Sequence, residues 1–264
     1  MVSLLKEGYY LKKNEFDINK KPLHIYCLSD MHIGSNVFNN EFFEYALSMI
    51  EKDTHEKVIY INGDVLEVGS KSVGNSAFKQ RINVNEQLEI AMDYFLPYKE
   101  FVRGVTKGNH DSKRILKDFD FDLTQVFANS LDCTSVSQLK DTLYINEEEY
   151  NVFATHGKGS APKQPHLALG KVMRETGYVS ADLVFYGHIH RAGFIQTVNV
   201  VGDKFRRKNF VLTGHFLSYK DSYAEEMGLK PIPECFTRVN VDKNLNTTVD
   251  IFNIDECCPS MVRL

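Results

Sequence analysis

The sequence predicts an α/β protein in which two mixed β-sheets pack face to face as a sandwich with helices outside. Three observations carry this expectation. In the first half, apolar β runs alternate with helical stretches, the rhythm of parallel strands joined by crossover helices. In the second half, strand-like runs crowd together. Several of these runs stop abruptly at polar residues, and in parallel sheets such ends share one edge.

Taken in order, residues 24–29 read as a buried strand that stops at Ser29 and Asp30. Residues 40–54 carry Phe42, Phe43, Ala46, Leu47 and Ile50 at helical spacing, with Asn39 or Asn40 as cap. Residues 57–62 form a second β run, ending in Gly63–Asp64. Residues 84–98 read as helix until Pro97. A third β run, 101–106, ends in Lys107–Gly108–Asn109–His110–Asp111. Residues 151–155 end in His156–Gly157, and residues 182–186 in Gly187–His188–Ile189–His190. Runs at 194–201 and 206–213 follow, and the pair 236–242 and 247–252 reads as an antiparallel hairpin.

The 264 residues contain no repeat, low-complexity tract or Pro/Gly/Ser-rich linker. At about 150 residues per domain, one domain over 1–264 is expected, with the hairpin and a short tail at 236–264. A net charge of −4 disfavours a protein that coats nucleic acid non-specifically. The five cysteines are odd in number, irregularly spaced and without Cys-x-x-Cys, so free thiols in a reducing compartment are expected. The N-terminal MVSLLKEGYYLKK has no small-residue cleavage site, and no apolar stretch approaches the roughly eighteen residues of a membrane helix. A cytoplasmic location and no membrane partner are the expectation.

Each polar strand end has a bland reading. Asp30-x-His32 alone is a common capped turn, and Gly63–Asp64 or His156–Gly157 alone says little. Gly108–Asn109–His110–Asp111 is more specific. So is His188-x-His190, because two imidazoles at a buried strand end need a metal or an acid. Their joint occurrence, each at a strand end, is the strong signal.

The order Asp-x-His, Gly-Asp, Gly-Asn-His-Asp, His-Gly and Gly-His-x-His resembles the calcineurin-like metallophosphoesterases, over roughly residues 24–215. The resemblance implies a helix-flanked β-sandwich holding two divalent ions about 3.5–4 Å apart. It implies that Asp30, His32 and His190 hold one ion, that Asn109, His156 and His188 hold the other, and that Asp64 bridges both. The mixed N/O donor set, without thiolate, suits Mn²⁺, Fe or Zn²⁺ better than Mg²⁺ or Ca²⁺; Mn²⁺ is the expected ion, with Fe, Zn²⁺ or Mg²⁺ as alternatives. Many family members have Gly-Asp-x-x-Asp where this chain has Glu67, which puts that acid's supporting role in question.

The implied reaction is hydrolysis of a phosphate ester, a phosphodiester in the favoured reading, by in-line attack of a metal-bridging hydroxide. His110 would protonate or orient the leaving oxygen, with Asp111 as its orienter. The loops after the motifs carry Lys71, Lys79, Arg81, Lys107, Lys113, Arg114, Lys117, Lys158, Lys163 and Arg191. Among these, Lys158 and Arg191 are the expected substrate contacts; plain solvated loop charge is the competing reading. Ser-Asp-x-His-Ile-Gly is similar to the DNA-repair nuclease branch, so nucleic acid or a nucleotide is an alternative substrate. A phosphomonoesterase and a non-catalytic scaffold are the remaining alternatives. The scaffold reading is disfavoured because every ligand position is filled.

Overall fold

The computed structural model describes residues 12–69, 80–160, 162, 164–201 and 204–262. Residues 1–11, and with them most of the N-terminal stretch read above, lie outside the described residues, as do Lys71, Lys79 and Lys163.

The first half alternates strand and helix. A short β1 (Glu15–Phe16) precedes β2 (Leu23–Leu28). Helix α1 (Asn40–Lys52) follows, its first turn closed by the Asn39 side chain accepting from the Phe42 amide. Next come β3 (Lys57–Asn62) and α2 (Val84–Phe95), which opens with a capping box between Asn83 and Glu86. Pro97 turns its end into a 3₁₀ turn, Leu96–Tyr98. Strand β4 (Val102–Thr106) leads into a wide π-helical turn, Asn109–Lys113, continued by α3 (Arg114–Phe119), then α4 (Leu123–Ser130) and β5 (Ser135–Val136). β2 to β5 lie parallel, as crossover helices require.

The second half contains β6 (Gln138–Ile145), β7 (Glu148–Thr155), α5 (Pro165–Thr176), β8 (Leu183–Tyr186), β9 (Ala192–Val201) and β10 (Lys204–His215). A single helical turn, α6 (Tyr223–Glu226), precedes the hairpin β11 (Cys235–Val241) and β12 (Thr247–Asn253), and α7 (Ile254–Cys257) closes the chain. The Asp242 side chain builds the hairpin turn by accepting from the Asn244 and Asn246 amides.

Side-chain alternation assigns each strand face. Leu23, Ile25 and Cys27 of β2 point into the core between the two sheet halves, where Leu183, Phe185 and Val211 meet them. Tyr26 and Leu28, the intervening residues, pack under α1 with Phe42, Phe43 and Ile50. Across the molecule, Val184, Tyr186, Phe210 and Leu212 pack with Ala168 and Val172 of α5. The layers are therefore helix, sheet, sheet, helix.

The predicted helix-flanked arrangement of mixed sheets is what the chain adopts, and the two sheets are joined. Hydrogen bonds run through the strand order β1-β6-β7-β8-β10-β11-β2-β3-β4-β5, with β9 on β10 and β12 on β11, giving one curled mixed sheet. The join is Gly214 and His215 of β10 against Phe236 and Cys235 of β11. A side chain at Gly214 (φ +91°) would run into the Cys235 carbonyl, so glycine permits the close approach. The hairpin thus closes the curl against β2. Among the described residues, no helix is long and apolar enough to cross a membrane.

Candidate metal centre

The parallel strands β2, β3, β4, β7, β8 and β10 bring their carboxyl ends to one edge, and every predicted ligand lies just beyond one of those ends. The loops are stitched across the edge by backbone bonds: the Asp30 amide to the Gly63 carbonyl at 3.1 Å, and the His32 amide to the Asp64 carbonyl at 3.0 Å. The backbone itself is unusual there. Asp30, His32, Asp64, His188 and His190 all have left-handed φ, between +50° and +66°. Such residues are uncommon, and they gather where surrounding structure over-determines them. Asp30 and His32 therefore share a side through two left-handed turns, not through the alternation of an extended chain.

Two groups form. Asp30, His32 and His190 each place one donor atom within 4.8 Å of the others, and Asp64, His156 and His188 do the same. Asp64 Oδ2 lies 3.0 Å from His156 Nε2 and 3.8 Å from His32 Nε2, so it stands between the groups. Asp30 Oδ1 is 3.2 Å from His190 Nε2 and 3.9 Å from His156 Nε2. Asn109 joins them through its neighbours: the His110 amide donates to Asp64 Oδ1 at 2.8 Å, and Gly108 packs so close to Asp64 that a Cβ there would overlap its carboxylate.

The residues fit a pair of cations. Asp30 Oδ1, His32 Nε2, Asn109 Oδ1 and His156 Nε2 are buried, and apart from the ionic contacts of Asp30, Asp64 and the imidazoles with one another they find no partner, a costly state unless an ion takes them up. The other ring nitrogens are engaged. His156 Nδ1 lies 2.9 Å from the Asn62 carbonyl, and His32 Nδ1 lies 2.9 Å from Glu67 Oε2. Each contact suits an N–H donor and leaves Nε2 free for a metal. His188 is held the other way round, Nε2 at 2.7 Å from the Gly159 carbonyl. The loop bearing Gly159 is pinned by the buried Lys171 of α5, whose Nζ donates to the Lys158 and Ser160 carbonyls at 2.5 and 3.2 Å.

Carboxylates and imidazoles set one another's charge here. Burial pushes Asp30 and Asp64 towards protonation, but the imidazoles around them, His156 foremost, hold both below the ordinary carboxylate range. Burial opposes a charge on His156, yet Asp64 and Asp30 raise it to about 10. Burial lowers His32 and His188, and each is lowered further by a neighbouring imidazole. A divalent ion would take the place of that proton among the same carboxylates.

His110 lies beside the first group, its ring 4.4 Å from that of His32 and edge-on to it. Its Nδ1 is 3.4 Å from Glu67 Oε1, and the Arg114 guanidinium lies against it, Nη2 at 2.9 Å from Nε2. Burial would lower its pKa, but Glu67 and Asp64 together raise it. Glu67 thus touches both His32 and His110, and the longer acid does reach a supporting position.

The expected role of Asp111 is corrected. Its Oδ1 accepts from the Gly108 amide at 3.0 Å and its Oδ2 from the Val65 amide at 2.8 Å. It ties two ligand loops together, and both oxygens are spent there. Glu67 and Arg114 hold His110 instead. The His110–Arg114 spacing of one helical turn was the available signal for Arg114.

The two expected substrate contacts part company. Arg191 lines a cavity of about 1300 Å³ together with His32, Glu67, His110, Arg114 and His190. Lys158 is exposed and is not among that cavity's described lining; what it contributes is backbone, its amide donating to the Tyr186 hydroxyl at 3.2 Å. Lys107 is paired with Asp122 at 2.5 Å. His215 also lines the cavity, stacked 5.3 Å from His190, and burial together with His190 lowers it to about 3.

A family model described as calcineurin-like phosphoesterase matches residues 23–192, well over half of the chain. The protein belongs to this family of metal-dependent phosphoester hydrolases. No curated protein matches. Among solved structures, a predicted phosphoesterase from Streptococcus pneumoniae is 17% identical over 90% of this chain and 92% of its own, at a TM-score of 0.39. Vps29 from Entamoeba histolytica, solved with Zn²⁺, is 13% identical over 89% and 94%, at 0.43. A metallophosphoesterase from Sphaerobacter thermophilus is 13% identical over 88% of each chain, at 0.40.

Proposed function

We propose that this chain is a dinuclear phosphodiesterase in which Asp30, His32 and His190 hold one divalent ion, Asn109, His156 and His188 hold the second, and Asp64 touches both. The observation that carries the reading is the gathering at one sheet edge of two carboxylates and four imidazoles, with Asp30 Oδ1, His32 Nε2, Asn109 Oδ1 and His156 Nε2 buried and meeting no hydrogen-bond donor or acceptor outside this cluster. When bound, a pair of divalent ions supplies Lewis acidity, lowering the pKa of water and offsetting charge on phosphoryl oxygens. Asn109 offers a neutral oxygen and so limits the negative charge that would repel phosphate. His110, whose Nδ1 faces Glu67 and whose protonated form Glu67 and Asp64 favour, stands on the cavity side to donate a proton to the leaving oxygen. Arg191 and Arg114 flank the place where phosphate enters. A diester carries two organic arms, and the cavity extends well past the ligand edge to take them. Mn²⁺ is the proposed native ion, in a cytoplasmic setting consistent with the free cysteines among the described residues.

Bis-p-nitrophenyl phosphate should be hydrolysed with added Mn²⁺, with two ions per chain by metal analysis, and chelation should remove ions and turnover together. Turnover of p-nitrophenyl phosphate alone would refute the diester reading; no turnover of either ester with ions bound would support a scaffold.

A second test concerns the His188 support. Lys171→Met frees the loop that carries the Gly159 carbonyl, so the ion on the His188 side should bind roughly 10–100-fold more weakly, as found for lost outer-shell partners. Lys171→Arg should recover most of the affinity. Unchanged binding of both ions in a competition titration against a chelator would remove Lys171 from this role.

A further inference from the structure

Between β10 and β11 the chain runs through residues 216–234 with only the single turn of α6. Unstructured connections of this length are uncommon in packed domains and are usually functional. This one is fixed in place. The Ser218 amide donates to the Val37 carbonyl at 2.8 Å, the Tyr219 hydroxyl to the Leu229 carbonyl at 2.8 Å, and Asn39 Nδ2 to Glu234 Oε1 at 3.1 Å. It lines the same cavity as His32, His110 and His190, beginning beside them where the Leu217 amide donates to His215 Nδ1 at 3.2 Å. The segment also lies wholly outside residues 23–192, so nothing in the family match assigns it a role.

Two parts of the cavity lining differ in chemistry. At the ligand edge stand Arg114 and Arg191. The rest of the lining includes Val37, Leu217, Tyr219, Tyr223, Leu229 and Ile232. Tyr223 is 65% exposed and Leu229 46%, and with Leu217, Tyr219 and Ile232 they give this lining an apolar and aromatic face. Its charged members are Lys230 against Asp221 and Glu226, so the described wall carries no surplus of cations. A nucleic-acid strand presents a phosphate at every nucleotide and needs a positive groove that follows it. A single phosphate at the edge, with an uncharged arm against the wall, needs none.

We propose that residues 216–234 form the specificity subsite, and that it accepts an aromatic ester arm of a small phosphodiester in preference to a polymeric nucleic-acid strand. This rests on the phosphodiesterase reading above. The test compares bis-p-nitrophenyl phosphate with methyl p-nitrophenyl phosphate, which share a leaving group and differ only in the second arm, in the wild-type protein and in a Tyr223→Ala/Leu229→Ala variant. Both positions are exposed, so the fold should be retained, and a circular dichroism spectrum matching the wild type checks this. The wild-type KM should be roughly tenfold lower for the bis-aryl ester, the scale expected of one apolar group in a pocket. In the variant the ratio of the two KM values should fall to about one. Diphenyl phosphate should likewise compete with substrate roughly tenfold better than dimethyl phosphate in the wild type only.

A wild-type enzyme that cleaves both esters with equal KM would overturn the subsite and leave the phosphodiesterase reading standing. So would faster turnover, per unit concentration, of a single-stranded oligonucleotide than of the bis-aryl ester. Failure to cleave either ester with two ions bound would overturn both.

Discussion

Asp64→Asn should leave the protein folded and without measurable phosphodiesterase activity, with metal content falling from two ions per chain towards none. Asp64 is 1% exposed and serves three partners at once. Its Oδ1 takes the His110 amide, and its Oδ2 faces His156 at 3.0 Å and His32 at 3.8 Å, one imidazole from each donor group. Asparagine keeps the volume and one carbonyl oxygen, so packing survives. It loses the negative charge and gives the second position to an amide that cannot ligate. Both ions should loosen because the residue stands between the groups rather than within one. Metal analysis beside a rate assay decides the matter: full activity with two bound ions would refute the bridging position.

His110→Ala should behave differently. The expected result is a kcat lower by about 10²–10⁴-fold, the usual loss when a general acid is removed, with both ions retained. The reason is geometric. The imidazole contacts Glu67 and Arg114 and stands beside the His32 ring, whereas only its backbone amide touches Asp64, and alanine keeps that amide. Metal content measured on the same preparation separates the outcomes. Loss of an ion would place His110 among the ligands, and an unchanged kcat would take the acid role from it.

Much of this was legible because period-two burial leaves a clear trace. Leu23, Ile25 and Cys27 face one core while Tyr26 and Leu28 face another, so β2 reads as an unbroken apolar run that must end somewhere polar. The same holds for β3 and β8, and their ends supplied Asp64, His188 and His190. β6 was missed because Lys140 and Asp141 interrupt its apolar pattern: it lies near the rim of the curl, where half its side chains meet solvent. α5 was missed because Gln164 is a poor cap and Gly170 weakens the interior, while its stability comes from packing on β8 and β10. The join through Gly214 could not be read, since a strand that changes partner along its length has no sequence period of its own. Asp111 was misread for a related reason: adjacency in sequence suggested a partner for His110, whereas the π-helical turn sends its carboxylate back to Val65 and Gly108.

The left-handed backbone at Asp30, His32, Asp64, His188 and His190 has a consequence for how the centre is assembled. Each such residue costs on the order of 1–3 kcal/mol, and the rest of the fold must hold it there. Ions held by these residues would meet donors whose backbone the fold already fixes, so the entropy of gathering side chains from five distant loops would not be charged against their binding. Affinity is therefore written into the scaffold as much as into the donors, and grafting the same seven side chains onto relaxed loops would give a weaker, more pliable centre.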